Sequence, residues 1–162
     1  NVFLSFLCVF IQRIVEIVKN NNRIVLQYEK NSDFIDLVKA QGGFCFAAHP
    51  FRNNNRGLEE NLRTVRGLDG LEVLNGSTSV AACQKAARYA QKLGLCTMGS
   101  SDCHVPEKVG VCATWFPEEI RTMEEFMKAL KKGGMKPAYY EDGSYHILEV
   151  QEYGNGYPEI GF

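Results

Sequence analysis

Residues 71–104 are LEVLNGSTSVAACQKAARYAQKLGLCTMGSSDCH, and this stretch decides the fold class. The apolar run Leu71–Leu74 ends at an Asn-Gly pair, which is typical of a strand followed by a turn. The next segment predicts a long helix over Val80–Leu93, which ends where Gly94 supplies a left-handed position. A second apolar run, Leu95–Met98, follows. Strand, helix and strand in this order predict a parallel pair with the helix packed on one face.

The same alternation extends over most of the chain and predicts an α/β fold, with a mostly parallel sheet and flanking helices. Ligands bind such sheets at the carboxyl ends of the strands. Thr122 and Glu125 have the spacing of a capping box before one of the helices. The other predicted helices are Phe3–Lys19, Asn31 or Ser32 to Ala40, Leu58–Val65 and Met123–Lys132, and the other strands are Arg23–Tyr28, Phe44–Ala48, Gly110–Phe116 and, in an edge hairpin, Tyr145–Val150.

The composition is that of one packed domain. Of the 162 residues, 45% are apolar and 23% are charged, which excludes disordered and fibrous chains. The formal net charge of -1 provides no basic field that could hold a nucleic-acid backbone, so we do not expect a nucleic-acid partner. Any binding of phosphate must therefore be local.

No membrane segment is expected. The apolar stretch Val2–Ile11 is shorter than the roughly 18 to 20 residues that cross a bilayer, and it lacks the basic start of a secretory signal. The six cysteines form no C-x-x-C pair, and most lie in apolar runs where free thiols act as small hydrophobic groups. We therefore expect a reduced, cytoplasmic protein.

Two of the three histidines follow predicted strands. His49 comes directly after an apolar strand, and His104 follows Asp102 in a D-x-H tripeptide. In an extended segment the two side chains of D-x-H project to the same side, so a carboxylate and an imidazole could bind one cation. The alternative is a surface loop with a hydrogen-bonded histidine, and spacing alone does not decide between the two.

Four segments of the chain form an ordered set of motifs: GGFCFAAHPFR (residues 42–52), GLDGLEVLNG (67–76), KLGLCTMGSSDCH (92–104) and KVGVCATWF (108–116). Together they resemble the second half of a PHP domain, the polymerase and histidinol phosphatase family of metal-dependent phosphoesterases. The resemblance covers residues 42–137 and implies a distorted (β/α)7 barrel with up to three zinc, manganese or iron ions. His49 corresponds to the histidine of the family's HP motif, and Asp102 and His104 correspond to its final D-x-H.

The resemblance also has a gap. No histidine precedes His49, so the H-x-H of the family's first half has no counterpart. A barrel of this type needs about 250 residues. We therefore expect a partial or truncated barrel, with residues 1–41 as an N-terminal helix, strand and helix and residues 138–162 as a C-terminal tail. With His49, Asp102 and His104 as ligands, we expect one well-held ion at most.

Other polar residues in these segments have candidate roles at the site. Arg52 either clamps a substrate phosphate or is a solvated loop arginine. Ser100 and Lys108 are candidate phosphate contacts, although Ser100 also suits simple turn chemistry. For Glu72 in its strand we favour a supporting role, hydrogen-bonded beneath the site, over direct ligation. Asn75, at the end of the same strand, is placed in the same supporting group.

Two functions are therefore open, and a third, nucleic-acid processing as in polymerase-associated PHP domains, is disfavoured by the neutral charge. The first is metal-dependent hydrolysis of a small-molecule phosphate ester, with His49, Asp102 and His104 in the catalytic site. The second is a non-catalytic PHP-like remnant that acts as a structural or interaction module. The residue pattern favours the first function and the chain length favours the second. The sequence names neither the substrate nor the metal, and it leaves the oligomeric state open.

Overall fold

The structure is a computed structural model that describes residues 31–53 and 57–149. The predicted helix Phe3–Lys19 and strand Arg23–Tyr28 lie outside these residues. The helices are α1 (Asn31–Ala40), α2 (Val80–Leu93) and α3 (Met123–Lys132), with short 3-10 helices at Glu59–Arg63 and Pro106–Lys108, and the strands are β1 (Phe46–Ala47), β2 (Gly70–Asn75), β3 (Cys96–Ser100), β4 (Cys112–Trp115), β5 (Lys136–Glu141) and β6 (Ser144–Ile147).

Strands β1, β2 and β3 form a parallel sheet in that order, with Phe46, Gly70 and Cys96 in register. Every residue of β2 is buried because strands flank it on both sides and α2 packs against it. Helix α2 begins after Ser79, whose hydroxyl accepts the N–H of Ala82, and ends at Gly94 with a φ of 64°. The strand, helix and strand predicted from residues 71–104 are therefore confirmed.

Strands β4, β5 and β6 form a second, antiparallel sheet. The side chain of Thr114 in β4 joins it to the first sheet, because its hydroxyl accepts the N–H of Gly99 at 3.2 Å and donates to the Gly99 carbonyl at 2.7 Å. The predicted capping box is present before α3, with Glu125 and Thr122 each bonding the other's backbone N–H.

The predicted barrel is not found in the described part of the chain. Its six strands form two three-stranded sheets and do not close, and only one sheet is parallel, so "mostly parallel" was also too strong. Helix α3 connects β4 to β5 and a tight turn connects β5 to β6, and both strand pairs are antiparallel. Strand β5 was missed because Pro137 is rare inside a strand with neighbours on both sides.

Two further differences are local. The segment predicted as the helix Leu58–Val65 forms only the 3-10 helix Glu59–Arg63. The last predicted strand starts close to the observed β6, which pairs with β5 as the expected hairpin. Among the described helices, none is long and apolar enough to cross a membrane.

Candidate functional site

Polar residues from three loops meet at the carboxyl edge of the parallel sheet, which we define as the residues directly after β1, β2 and β3. His49 follows β1, Asn75 ends β2, and Asp102 follows β3. Gly76 allows the last two loops to approach closely. A Cβ atom at Gly76 would lie 2.6 Å from the carbonyl oxygen of Ser101, so any other residue would push the loops apart.

Glu72 lies beneath this edge with only 4% of its surface exposed. Its carboxylate accepts hydrogen bonds from the Ser100 hydroxyl, from the backbone N–H of His49 and, at 2.9 Å, from Asn75 Nδ2. Burial raises the pKa of Glu72, and these three hydrogen bonds act in the opposite direction. Glu72 and Asn75 are thus hydrogen-bonded to each other beneath the edge, and their supporting role in a site stays a prediction.

Asp102 is held by two side chains from the neighbouring loops. Its Oδ2 atom forms an ion pair with Arg52 Nη2 and accepts a hydrogen bond from Asn75 Nδ2 at 3.3 Å. Asn75 therefore connects the carboxylates of Glu72 and Asp102. The other oxygen of Asp102, Oδ1, accepts no hydrogen bond from the described residues.

We expected the D-x-H tripeptide to be extended, but the observed segment is not. Asp102 has a φ of 45°, in the left-handed region that non-glycine residues seldom occupy. This turn brings the imidazole of exposed His104 back to its own loop, where Nδ1 lies 3.0 Å from the Asp102 carbonyl oxygen. Because a carbonyl only accepts, Nδ1 is the donor at this contact, which leaves Nε2 as the ring nitrogen that could bind a cation.

His49 also has a left-handed backbone, with a φ of 29°. Its N–H is fixed by Glu72, and its Nδ1 atom is buried. Two candidate ligands, His49 and Asp102, thus combine uncommon backbone conformations with contacts to one network. Such conformations persist where the surroundings hold them in place, and they concentrate at functional sites.

The remaining predicted residues have different surroundings. Ser100 is buried and its hydroxyl is used by Glu72, while Lys108 is half-buried in the 3-10 helix after the D-x-H segment. Arg52 contacts Asp102 and the loop after β2, so it is not a solvated arginine. Phosphate binding by Arg52, Ser100 and Lys108 stays a prediction.

Two residues of the site were not predicted. Thr78 Oγ1 accepts a hydrogen bond from Arg52 Nε at 3.1 Å, and Ser77 Oγ donates one to the Asp102 carbonyl at 3.0 Å. The run Ser77-Thr78-Ser79 between a strand and a helix was the available signal. Hydroxyl side chains in such a turn commonly bond nearby backbone groups, which made the run look like local turn chemistry.

The donor atoms suit a divalent ion in type. Asp102 Oδ1 is available, and a histidine that donates through Nδ1 to a carbonyl has the orientation usual for a ligand that binds through Nε2. Across residues 31–53 and 57–149, however, no three His, Cys, Asp or Glu side chains are grouped closely enough to hold an ion. The described residues therefore fit part of a ligand set.

Residues 80–134 match the model of a family described as PHP-associated. Over these residues the chain is therefore similar to the PHP-associated family. This match confirms the PHP resemblance over about a third of the chain, including α2, β3, the D-x-H segment, β4 and α3. His49, Arg52 and Glu72 lie before the matched residues. No curated protein and no solved structure shows a significant match to the chain.

Proposed function

We propose that this chain takes part in the metal-dependent hydrolysis of a small-molecule phosphate ester, as a PHP-type phosphoesterase. The observation that carries the proposal is the D-x-H segment within the PHP-associated match, with Asp102 Oδ1 and His104 Nε2 both available for a cation. In this proposal β1, β2 and β3 belong to a PHP-type sheet whose carboxyl edge receives the substrate, in a cytoplasmic protein.

The residues of the carboxyl edge have separate tasks in this proposal. Asp102, His104 and His49 would hold zinc, manganese or iron, which when bound lowers the pKa of a water molecule and polarises a phosphoryl oxygen. Asn75 and Arg52 hold Asp102 at Oδ2, so that Oδ1 points elsewhere. Glu72 fixes the Asn75 amide and the His49 backbone from below.

The test is hydrolysis of p-nitrophenyl phosphate by the whole chain with added Mn²⁺. We expect weak activity that Asp102→Asn and His104→Ala both abolish, with at most about one ion bound per chain. His146→Ala is the matched control, because His146 lies in β6 and its hydrogen-bond and ring partners Ser144, Glu141 and Tyr139 all belong to the β5–β6 hairpin. Activity that survives both site variants would contradict the proposal.

A non-catalytic structural or interaction module is the second candidate. It is favoured by the ion pair between Arg52 and Asp102, in which a guanidinium already neutralises the candidate ligand. On this hypothesis Mn²⁺ does not bind, no hydrolysis is found, and Asp102→Asn lowers the melting temperature equally with and without Mn²⁺. Stabilisation of the unaltered chain alone by Mn²⁺ would contradict it.

A further inference from the structure

Arg52 joins all three loops of the carboxyl edge. It extends from the loop after β1, and its Nε donates to Thr78 Oγ1 at 3.1 Å, in the loop after β2. Its Nη2 atom donates to Asn75 Oδ1 at 3.2 Å and pairs with Asp102 Oδ2 in the loop after β3. The guanidinium is therefore held by a neutral oxygen at Nε and by a neutral oxygen and a carboxylate at Nη2.

The ion pair is largely shielded from water. The side chains of Arg52 and Asp102 are only 17% and 16% exposed, so their charges interact more strongly than those of a surface pair. A second carboxylate, that of Glu72, is linked to Asp102 through the Asn75 amide. Arg52 thus neutralises Asp102 at the point where the proposed metal would also need it.

We propose that Arg52 is a built-in counter-cation that competes with a divalent ion for the carboxylate of Asp102. This inference takes its ligands from the proposed function. An ion at Oδ1 would share one carboxylate with the guanidinium at Oδ2, and two like charges at such close range repel each other. Arg52 therefore stabilises the metal-free edge and weakens the binding of the ion.

The experiment measures Mn²⁺ affinity of the whole chain from the electron paramagnetic resonance signal of free Mn²⁺. Mn²⁺ is chosen because it prefers oxygen and nitrogen donors, whereas zinc would also bind the thiol of exposed Cys103. Arg52→Gln removes the positive charge, and Arg52→Lys keeps it. Arg63→Gln is a control, because Arg63 is an exposed arginine in the same segment between β1 and β2.

We expect Arg52→Gln to bind Mn²⁺ about tenfold more tightly than the unaltered chain, because one positive charge is removed beside the ligand. Arg52→Lys and Arg63→Gln should stay close to the original affinity. Thr78→Val is a milder variant, since it removes only the acceptor of the Arg52 Nε–H and keeps the charge. We expect it to raise the affinity by about threefold through looser positioning of Arg52.

Unchanged or weaker Mn²⁺ binding in a folded Arg52→Gln variant would overturn the inference. A lack of Mn²⁺ binding in every variant would also overturn it. If Arg52→Gln does not fold, an unchanged affinity in Thr78→Val has the same meaning. Hydrolysis of p-nitrophenyl phosphate in the same samples separates the two proposals. Tighter Mn²⁺ binding by Arg52→Gln without hydrolysis supports the role of Arg52 as a counter-cation and contradicts the phosphoesterase proposal. Hydrolysis with an unchanged Mn²⁺ affinity supports the phosphoesterase proposal and contradicts the role of Arg52.

Discussion

The two ends of strand β1, which is only two residues long, are held by the same kind of contact from the central segment of the sheet. At the amino end, Asp69 Oδ2 accepts the backbone N–H of Cys45 at 2.6 Å. At the carboxyl end, Glu72 accepts the backbone N–H of His49. In each case a carboxylate of the central segment accepts a backbone N–H directly beside the short strand.

The surroundings of the two carboxylates differ. Asp69 pairs with Lys39, and their side chains are 21% and 34% exposed, so water can solvate either partner if the other is removed. Glu72 is buried and receives its hydrogen bonds from neutral donors, whereas Arg52 pairs with Asp102. The amino end is therefore an independent contact, whereas the carboxyl end is a connected unit that includes the candidate ligands.

The largest expected effect is the loss of the Glu72 carboxylate. Glu72→Ala leaves the His49 N–H, the Ser100 hydroxyl and the Asn75 amide without their acceptor, and we expect it to lower the free energy of unfolding by about 3 kcal/mol or more. Asp69→Ala should cost only about 1 kcal/mol. Urea denaturation of both variants measures the difference, and equal losses would remove the distinction between the two ends.

The two ion pairs should differ in coupling energy. A double-mutant cycle with Arg52→Gln and Asp102→Asn is expected to give about 2 kcal/mol, because the pair is shielded and also hydrogen-bonded to Asn75. The cycle with Lys39→Gln and Asp69→Asn should give less than about 1 kcal/mol. Denaturation in low and high salt checks the assignment, since salt should weaken the more exposed Lys39 pair more strongly.

The elements themselves followed from local sequence signals. Val80–Leu93 and Met123–Lys132 have the predicted bounds because the Ser79 and Thr122 caps and the Gly94 stop are encoded within a few residues. Strand β5 and the unclosed sheets were not predicted, because strand pairing depends on contacts between distant segments. Pro137 also gave a local signal against the strand that forms there.

The site was partly predictable for the same reason. The alternation of strands and helices predicts that His49 and Asp102 lie at the same edge of the sheet, because the carboxyl ends of parallel strands meet there. The sequence contained no signal that Arg52 would contact Asp102, 50 residues further along the chain. Nor did it indicate that Asp102 takes a left-handed backbone and turns His104 toward its own carbonyl.

The pH dependence of stability should distinguish the buried carboxylate. Burial raises the pKa of Glu72 in the folded protein above its ordinary value of 4.5, so folding favours the protonated form. Its contribution is then greatest below pH 4.5 and is lost as the pH rises through the folded pKa. The free energy of unfolding of the unaltered chain should therefore decline relative to Glu72→Gln over this range.

The control for that titration is Glu125→Gln in the capping box. Backbone N–H groups of Arg121 and Thr122 lower the pKa of Glu125, so its contribution is present above pH 4.5 and is lost as the pH falls. Denaturation at a series of pH values should give opposite slopes for the two variants relative to the unaltered chain. Slopes of the same sign would contradict the assignment of Glu72 as a buried carboxyl.

The smallest expected effect compares cysteines at the two ends. Cys45 lies beside Asp69, and burial raises its pKa, which lowers the thiolate fraction that reacts. Cys103 is exposed next to Asp102 and should react with Ellman's reagent faster than Cys45 at about pH 8. Burial raises the pKa of Cys83 to about 11 and of Cys112 to about 12, so neither should react while the protein is folded.

Peptide mapping of the labelled chain, with Cys103→Ser as the matched variant, assigns each kinetic phase of labelling to a cysteine. Labelling of Cys45 before Cys103 would mean that the amino end opens to solvent more readily than the carboxyl end, which would sharpen the contrast between an independent contact and a connected unit.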